Sequence, residues 1–238
     1  MIRNQRVLVV GGASGIGLSI AKECHKSGAQ VIISSRNEDK LRNSQSIIGN
    51  NCTFIKCDVS SSNSITELFD KSGTIDHLVV TVGKPMASKF MELSEDNART
   101  DFDLNFWSKF NLAQKSMSSL SERGSILFVS GAFAKKINSN LFITSISVSA
   151  VESLTKALAL AIGPKRVNAI APYVIDPSDI SKEPVDEERK SFLEATSGSL
   201  PGKYVGSGED IGKAAVFLLS NHYSTGSILR LDGGYTIT

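Results

Sequence analysis

The run Gly11-Gly12-Ala13-Ser14-Gly15-Ile16-Gly17 constrains this chain more than any other stretch, because of what stands on either side of it. Before it comes a short β-branched run, Arg6–Val10, and after it residues 16–27 carry apolar residues at a helical period. Glycines allow a strand to turn sharply into a helix and let the backbone approach a pyrophosphate closely. The helix N-terminus then offers that phosphate free N–H groups and a partial positive charge. A glycine turn that only packs helix on sheet is the plainer alternative, and the strand–turn–helix context argues against it.

The same alternation continues to the end of the chain. Buried-type strands are expected at residues 30–35, 52–56, 77–82, 125–130, 166–171 and 227–231. Between them lie helical patterns at 37–48, 62–71 (capped by Ser62 or Ser64), 143–162, a short one at 186–196, and 209–220 capped by Ser207. A long helix should also follow Ser94, where Phe102, Phe106, Phe110, Ala113, Met117 and Leu120 form one stripe spaced 4, 4, 3, 4 and 3. Strands separated by helices throughout mean a parallel sheet covered on both faces. The expectation is a doubly wound, Rossmann-type α/β fold with a seven-stranded parallel sheet. Residues 1–238 read as one dinucleotide-binding domain, in which the Pro-, Ser-, Gly- and charge-rich segment at about 176–206 covers the substrate.

Composition narrows the function. With 26 Lys+Arg against 24 Asp+Glu the formal net charge is +2, and no basic run is present, so nucleic acid is not an expected partner. No stretch approaches 18 consecutive apolar residues, and Val7–Val10 is too short for a signal-peptide core, so no membrane span is expected and the cytoplasm is the expected setting. Cys24, Cys52 and Cys57 fit a reducing compartment, and neither they nor His25, His77 and His222 have ligand spacing, so no metal is expected.

The end of the second strand bears on which dinucleotide is read. A site for the 2′-hydroxyl of NAD places an Asp or Glu there, whereas this chain has Ser34-Ser35-Arg36. A guanidinium pairs with a 2′-phosphate and Ser35 can donate to it, which points to NADP(H). Glu38 and Asp39 read as first-turn acids of the next helix. A solvated surface arginine is the alternative for Arg36.

These residues resemble the short-chain dehydrogenase/reductase family over almost the whole chain. Val10-Gly11-Gly12-Ala13-Ser14-Gly15-Ile16-Gly17 is similar to its Thr-Gly-x-x-x-Gly-Ile-Gly turn, and Cys57-Asp58-Val59 to its Asp-Val, which implies that Asp58 binds the adenine amino group. Val80-Thr81-Val82-Gly83 stands where the family has Asn-Asn-Ala-Gly, Asn105 where it has its active-site asparagine, and Pro172-Tyr173 where it has Pro-Gly. Thr225-Gly226 and Asp232-Gly233-Gly234 match its C-terminal signature. The resemblance implies Gly11, Ser14, Gly15, Ile16, Gly17, Ser35, Arg36, Asp58, Val59, Val82, Gly83, Pro172 and Ile175 as cofactor-binding residues. It also implies a homodimer or homotetramer and a small-molecule substrate.

The family's catalytic serine and Tyr-x-x-x-Lys pair are not found in register. Val151-Glu152-Ser153-Leu154-Thr155-Lys156 resembles the segment just after that pair, which puts the tyrosine at Thr144, the lysine at Val148 and the serine at Gly131 beside Ser130. All four tyrosines, Tyr173, Tyr204, Tyr223 and Tyr235, lie at 173 or later. Asn105, Ser130, Thr144 and Lys136 are the candidate catalytic residues. Lys136 is expected to reach the cleft as an oxyanion-stabilising cation, against the plainer reading of Lys135 and Lys136 as a solvated loop pair. Tyr173 either donates a proton or fills the pocket. Two functions follow: an NADP(H)-dependent oxidoreductase with an unusual proton donor, acting on a carbonyl or conjugated carbonyl compound, or a catalytically impaired cofactor binder serving as sensor or structural partner.

Overall fold

The computed structural model describes residues 2–176 and 186–238. Seven strands form one parallel sheet: β1 (Arg6–Val10), β2 (Gln30–Ser35), β3 (Cys52–Lys56), β4 (Ile75–Val80), β5 (Leu120–Val129), β6 (Arg166–Pro172) and β9 (Ile228–Leu231), in the order β3-β2-β1-β4-β5-β6-β9. Two-residue strands β7 (Ile175–Asp176) and β8 (Gly206–Ser207) pair separately. The expected doubly wound α/β fold is therefore present.

The central strands carry apolar residues on both faces because both faces of the sheet are covered. β1 illustrates this: Val7 and Val9 join a core with Ile20 and Cys24 of α1 (Gly15–Lys26), Leu41 of α2 (Glu38–Ile48) and Ile211 and Ala215 of α8 (Gly208–Ser220). Leu8 and Val10 face the opposite core, with Leu68 of α3 (Ser62–Ser72), Leu112 of α5 (Ser108–Ser116) and Val151 of α6 (Phe142–Ala161). Helix α6 is long and apolar enough by composition to cross a membrane, but Val151 packs in the core and Glu152 forms a bidentate ion pair with Arg230 of β9.

Several local expectations are corrected. The cap of α3 is Ser61, whose hydroxyl accepts from the Ser64 N–H; Ser62 is already helical, and the Ser64 hydroxyl accepts from the Asp58 N–H instead. The fourth strand stops at Val80 rather than 82. The helix after Ser94 is not one regular stripe: α4 (Glu95–Phe102) passes through a π-helical turn (Asp103–Trp107) into α5. The extra residue in that turn rotates the helix faces, so Asp101, Asn105, Ser108, Lys109 and Leu112 are buried while Phe102, Phe106 and Phe110 are only half-buried. Ser207 does cap α8, in a reciprocal capping box with Asp210, and α7 (Glu187–Ser199) follows its own cap, Asp186. Of the segment 176–206 expected to cover the substrate, residues 177–185 lie outside the described residues.

Candidate active site

A cavity of about 560 Å3 opens outside the carboxyl ends of β1, β2 and β4. Its floor is the glycine turn, Gly11 and Ser14 to Gly17; one end is formed by Ser35, Arg36, Asp58 and Val59, the other by Thr81, Val82, Gly83 and Lys84. The turn is built for close approach. A Cβ on Gly17 would strike the Gly11 carbonyl, and one on Gly12 would lie 2.9 Å from the Val9 carbonyl, so strand, turn and helix touch backbone to backbone. Gly15 differs: its φ is +52° and nothing stands within 4 Å of where its Cβ would be. At the start of α1 the Ser14 side chain makes no capping hydrogen bond and the first turn holds no acidic residue. Such an N-terminus, with an open glycine as its first residue, suits an anionic group. Asp58 accepts from the Ser60 N–H and hydroxyl, and these two bonds, aided by the Arg36 charge, hold its carboxyl below the ordinary range.

A second cavity of about 200 Å3 continues from the first, since Ile16, Thr81, Val82, Gly83 and Lys84 line both. Asn105, Lys109, Ser130, Thr144, Val148, Pro172 and Tyr173 complete its wall. The Asn105 amide is fixed by its neighbour across the cavity: Oδ1 accepts from the Lys84 N–H at 3.1 Å and Nδ2 donates to the Lys84 carbonyl at 3.3 Å. The Thr144 hydroxyl donates to Asp101 Oδ2 at 2.7 Å and accepts from the Met86 N–H at 2.9 Å, while Ser147 donates to Asp101 Oδ1 at 2.6 Å. The Ser130 hydroxyl donates to the Val148 carbonyl at 3.1 Å. Tyr173 stacks flat on Tyr235, with ring centroids 3.9 Å apart, and Phe133 meets both rings edge-on. Burial, with the Tyr235 neighbour, raises the Tyr173 phenol above its ordinary pKa.

Residues 11–236 match the family model described as enoyl-(acyl carrier protein) reductase. A 3-oxoacyl-[acyl-carrier-protein] reductase of Chlamydia muridarum is 30% identical over 98% of this chain and 98% of its own length. The chain belongs to the short-chain dehydrogenase/reductase family. A short-chain dehydrogenase/reductase of Stachybotrys chlorohalonatus is 28% identical, over 98% of this chain and 97% of the relative. Among solved structures, the ligand-free aldohexose dehydrogenase of Thermoplasma acidophilum superposes with a TM-score of 0.88 at 26% identity, covering 100% of this chain and 96% of that one.

Within this short-chain dehydrogenase/reductase, the structure gathers most of the residues singled out from sequence. Gly11, Ser14, Gly15, Ile16, Gly17, Ser35, Arg36, Asp58, Val59, Val82 and Gly83 line the larger cavity, and Asn105, Ser130, Thr144 and Pro172 the smaller. Two do not fall there. Lys136 is drawn away from the cleft by the C-terminus: its ammonium donates to the Thr238 carbonyl at 2.8 Å, the Thr238 hydroxyl at 3.0 Å and the Tyr235 carbonyl at 3.3 Å, and sits over the Tyr235 ring. Ile175 forms β7 with its side chain against the hydrophobic core, and lines neither cavity. Thr144 and Val148, where the family resemblance expects tyrosine and lysine, both line the smaller cavity, and Tyr173 is the tyrosine among the described lining residues.

Sequence reading missed Lys109 and Asp101. Lys109 is 2% exposed, and its ammonium donates to the Val82 carbonyl at 2.5 Å and the Asn105 carbonyl at 2.8 Å. Burial pushes its pKa down from 10.5 to about 7, against the opposing pull of Asp101. The signal was a spacing of four, Asp101, Asn105, Lys109, which a regular helix shares with the half-exposed phenylalanine stripe one residue further on.

Proposed function

We propose that this short-chain dehydrogenase/reductase uses NADP(H) to reduce a small carbonyl or conjugated carbonyl compound, without a tyrosine–lysine pair as proton source. One observation carries the reading: a single cavity system runs from Arg36 and Ser35, past the glycine turn, to the polar pocket of Asn105, Ser130 and Thr144. The residues fit an anionic dinucleotide, as the open Gly15 and the uncapped start of α1 indicate. When bound, the reduced nicotinamide supplies hydride. Gly11, Ser14, Gly15, Ile16 and Gly17 hold the pyrophosphate, Ser35 and Arg36 the 2′-phosphate, Asp58 and Val59 the adenine, and Val82, Gly83 and Pro172 the nicotinamide end. The described names of the family model and of the Chlamydia relative, an enoyl and a 3-oxoacyl reductase, support a conjugated or ketonic carbonyl.

The reading extends to a homodimer or homotetramer in the cytoplasm. It is supported by the exposed apolar residues Trp107 and Ile146 on neighbouring helices, Leu160 at 90% exposure, and three unpaired, buried cysteines.

Fluorescence titration should give NADPH an affinity about tenfold or more above that of NADH, a difference near 1.4 kcal/mol. Arg36→Ala should remove it, and a preference for NADH in the unmodified protein would refute the assignment. A second reading, a cofactor-binding protein without turnover, is favoured by Thr144 and Val148 at the positions of the usual tyrosine and lysine. Steady-state assays with NADPH across ketones, enones and acyl thioesters decide between the two, and turnover above background excludes the second.

A further inference from the structure

We infer that Lys109 is the acid of the smaller cavity, giving up the proton that completes reduction of the substrate. The inference rests on the reading of that cavity as the reacting end of an NADP(H)-dependent reductase. Lys109 is the cation buried in the cavity wall itself, 2% exposed, while the other cation considered for this role, Lys136, is held by the C-terminus. Two of its three N–H donors are fixed on the Val82 and Asn105 carbonyls, which anchors the nitrogen to the loop after β4 and to the π-helical turn. The nitrogen lies under Gly83: a Cβ added there would come within 3.5 Å of Nζ and 2.6 Å of Asn105 Oδ1, so glycine keeps this corner open.

The groups surrounding Lys109 favour an amine that can lose its proton. Asp101 from α4 is the acidic neighbour; its oxygens accept from Thr144 and Ser147, it is not ion-paired with Lys109, and its charge offsets only part of the effect of burial. Lys84, from the loop after β4, brings a second positive charge to the cavity, and Tyr173 brings a phenol whose ionisation is suppressed. Helix α6 presents Thr144 and Val148, and the end of strand β5 with the residue after it presents Val129 and Ser130, none of them charged. An ammonium in this surrounding titrates close to neutrality.

The proton balance is simple. Two electrons reach the substrate as hydride from a dihydronicotinamide, leaving an enolate or alkoxide oxygen with a negative charge. One Lys109 N–H bond breaks, its electron pair stays on nitrogen as a neutral amine, and the new O–H bond forms; an alkoxide thereby becomes the alcohol product, whereas an enol so formed then loses its O–H proton to water and gains one at the α-carbon to become the saturated carbonyl. Water then returns a proton to the amine, which restores the ammonium for the next cycle.

Two measurements test this. In ligand-free protein labelled with 13C at lysine Cε, one lysine resonance should titrate near pH 7 and disappear in Lys109→Met and in Lys109→Arg. If the Lys109 signal titrates above pH 10 the proposal fails, whatever the variants do. With NADPH and a panel of enones, ketones, and crotonoyl and acetoacetyl thioesters of N-acetylcysteamine, kcat should fall as pH rises through neutrality. Lys109→Met should lower kcat on the order of 10²- to 10⁴-fold and abolish that limb. Lys109→Arg, charged but unable to release a proton, should behave alike, whereas a merely structural strut would be rescued by arginine. NADPH affinity by fluorescence should fall far less than kcat in both, since the residues assigned to the pyrophosphate, the 2′-phosphate and the adenine are untouched. Variants that retain kcat and its pH limb overturn the role of Lys109 and leave the reductase reading intact. Unmodified protein that binds NADPH but turns over nothing in the panel overturns both.

Discussion

A hydrogen in place of a side chain matters at three positions of the glycine turn for different reasons. At Gly17 a Cβ would collide with the Gly11 carbonyl and lie 2.6 Å from the Thr81 hydroxyl, both fixed by β1 and β4. At Gly12 it would press on Ile33 and the Val9 carbonyl, 2.8 and 2.9 Å away. At Gly15 nothing is met, and only the positive φ of +52° disfavours a side chain. Gly15→Ala should therefore cost about 1–2 kcal/mol of stability, the ordinary penalty of the left-handed conformation. Gly17→Ala should cost about 4 kcal/mol or more, because backbone must move. Urea unfolding of the two variants checks this, and equal costs would contradict the contacts. The turn was legible in the sequence because its glycines follow a strand and open a helix. Lys109 was not, because a charged residue beside an aromatic one gives no sign of which faces inward until the π-helical turn has set the rotation.

Elements transmit this precision to the site. β4 lies between β1 and β5, and His77 is pinned across them, its Nδ1 2.8 Å from the Ser125 hydroxyl and its Nε2 2.9 Å from the Gln5 side-chain oxygen. Burial lowers the His77 pKa to about 4 from an ordinary 6.5. Between these two values the unfolded chain binds the proton and the folded chain does not, so acid favours unfolding. Stability from this residue is complete above pH 6.5 and is lost as pH falls toward 4, a change of about 3 kcal/mol. Urea midpoints measured from pH 7 to pH 4 should fall accordingly, and His77→Gln should flatten that part of the curve. A slope unchanged in the variant would assign the acid sensitivity to other groups. A strand beginning at residue 77 was legible in the sequence, but the central place of His77 in the sheet depends on the order of strands, which local pattern does not encode. The same holds for the π-helical turn, where a stripe spaced by threes and fours concealed an inserted residue.

At the scale of the molecule, the sheet order decides where anything can bind. The chain builds β1, β2 and β3 outward, then returns to lay β4 on the other side of β1, and the cavity lies outside the carboxyl ends of these strands where the order reverses. The doubly wound parallel sheet followed from alternating strand and helix patterns, since parallel strands joined by helices leave few other arrangements, but the order of its strands did not. The position of the C-terminal tail did not follow, because the grip of Lys136 on Thr238 joins residues far apart in sequence. A ligand seated at the reversal contacts residues of β1, β2, the loop after β4 and the turn before α1, so it binds the folded chain alone and must raise its stability. With free NADPH at about 100 times its Kd the gain is about 2.7 kcal/mol. For a chain of this size that is a rise in Tm of about 5–11 °C. NADH at the same concentration, if about tenfold weaker, contributes about 1.4 kcal/mol and roughly half the rise. Arg36 is exposed, so Arg36→Ala should leave the ligand-free Tm nearly unchanged and bring the two shifts together. Equal shifts in the unmodified protein would remove Arg36 from the recognition of the 2′-phosphate, and no shift with either nucleotide would remove the cavity from cofactor binding altogether.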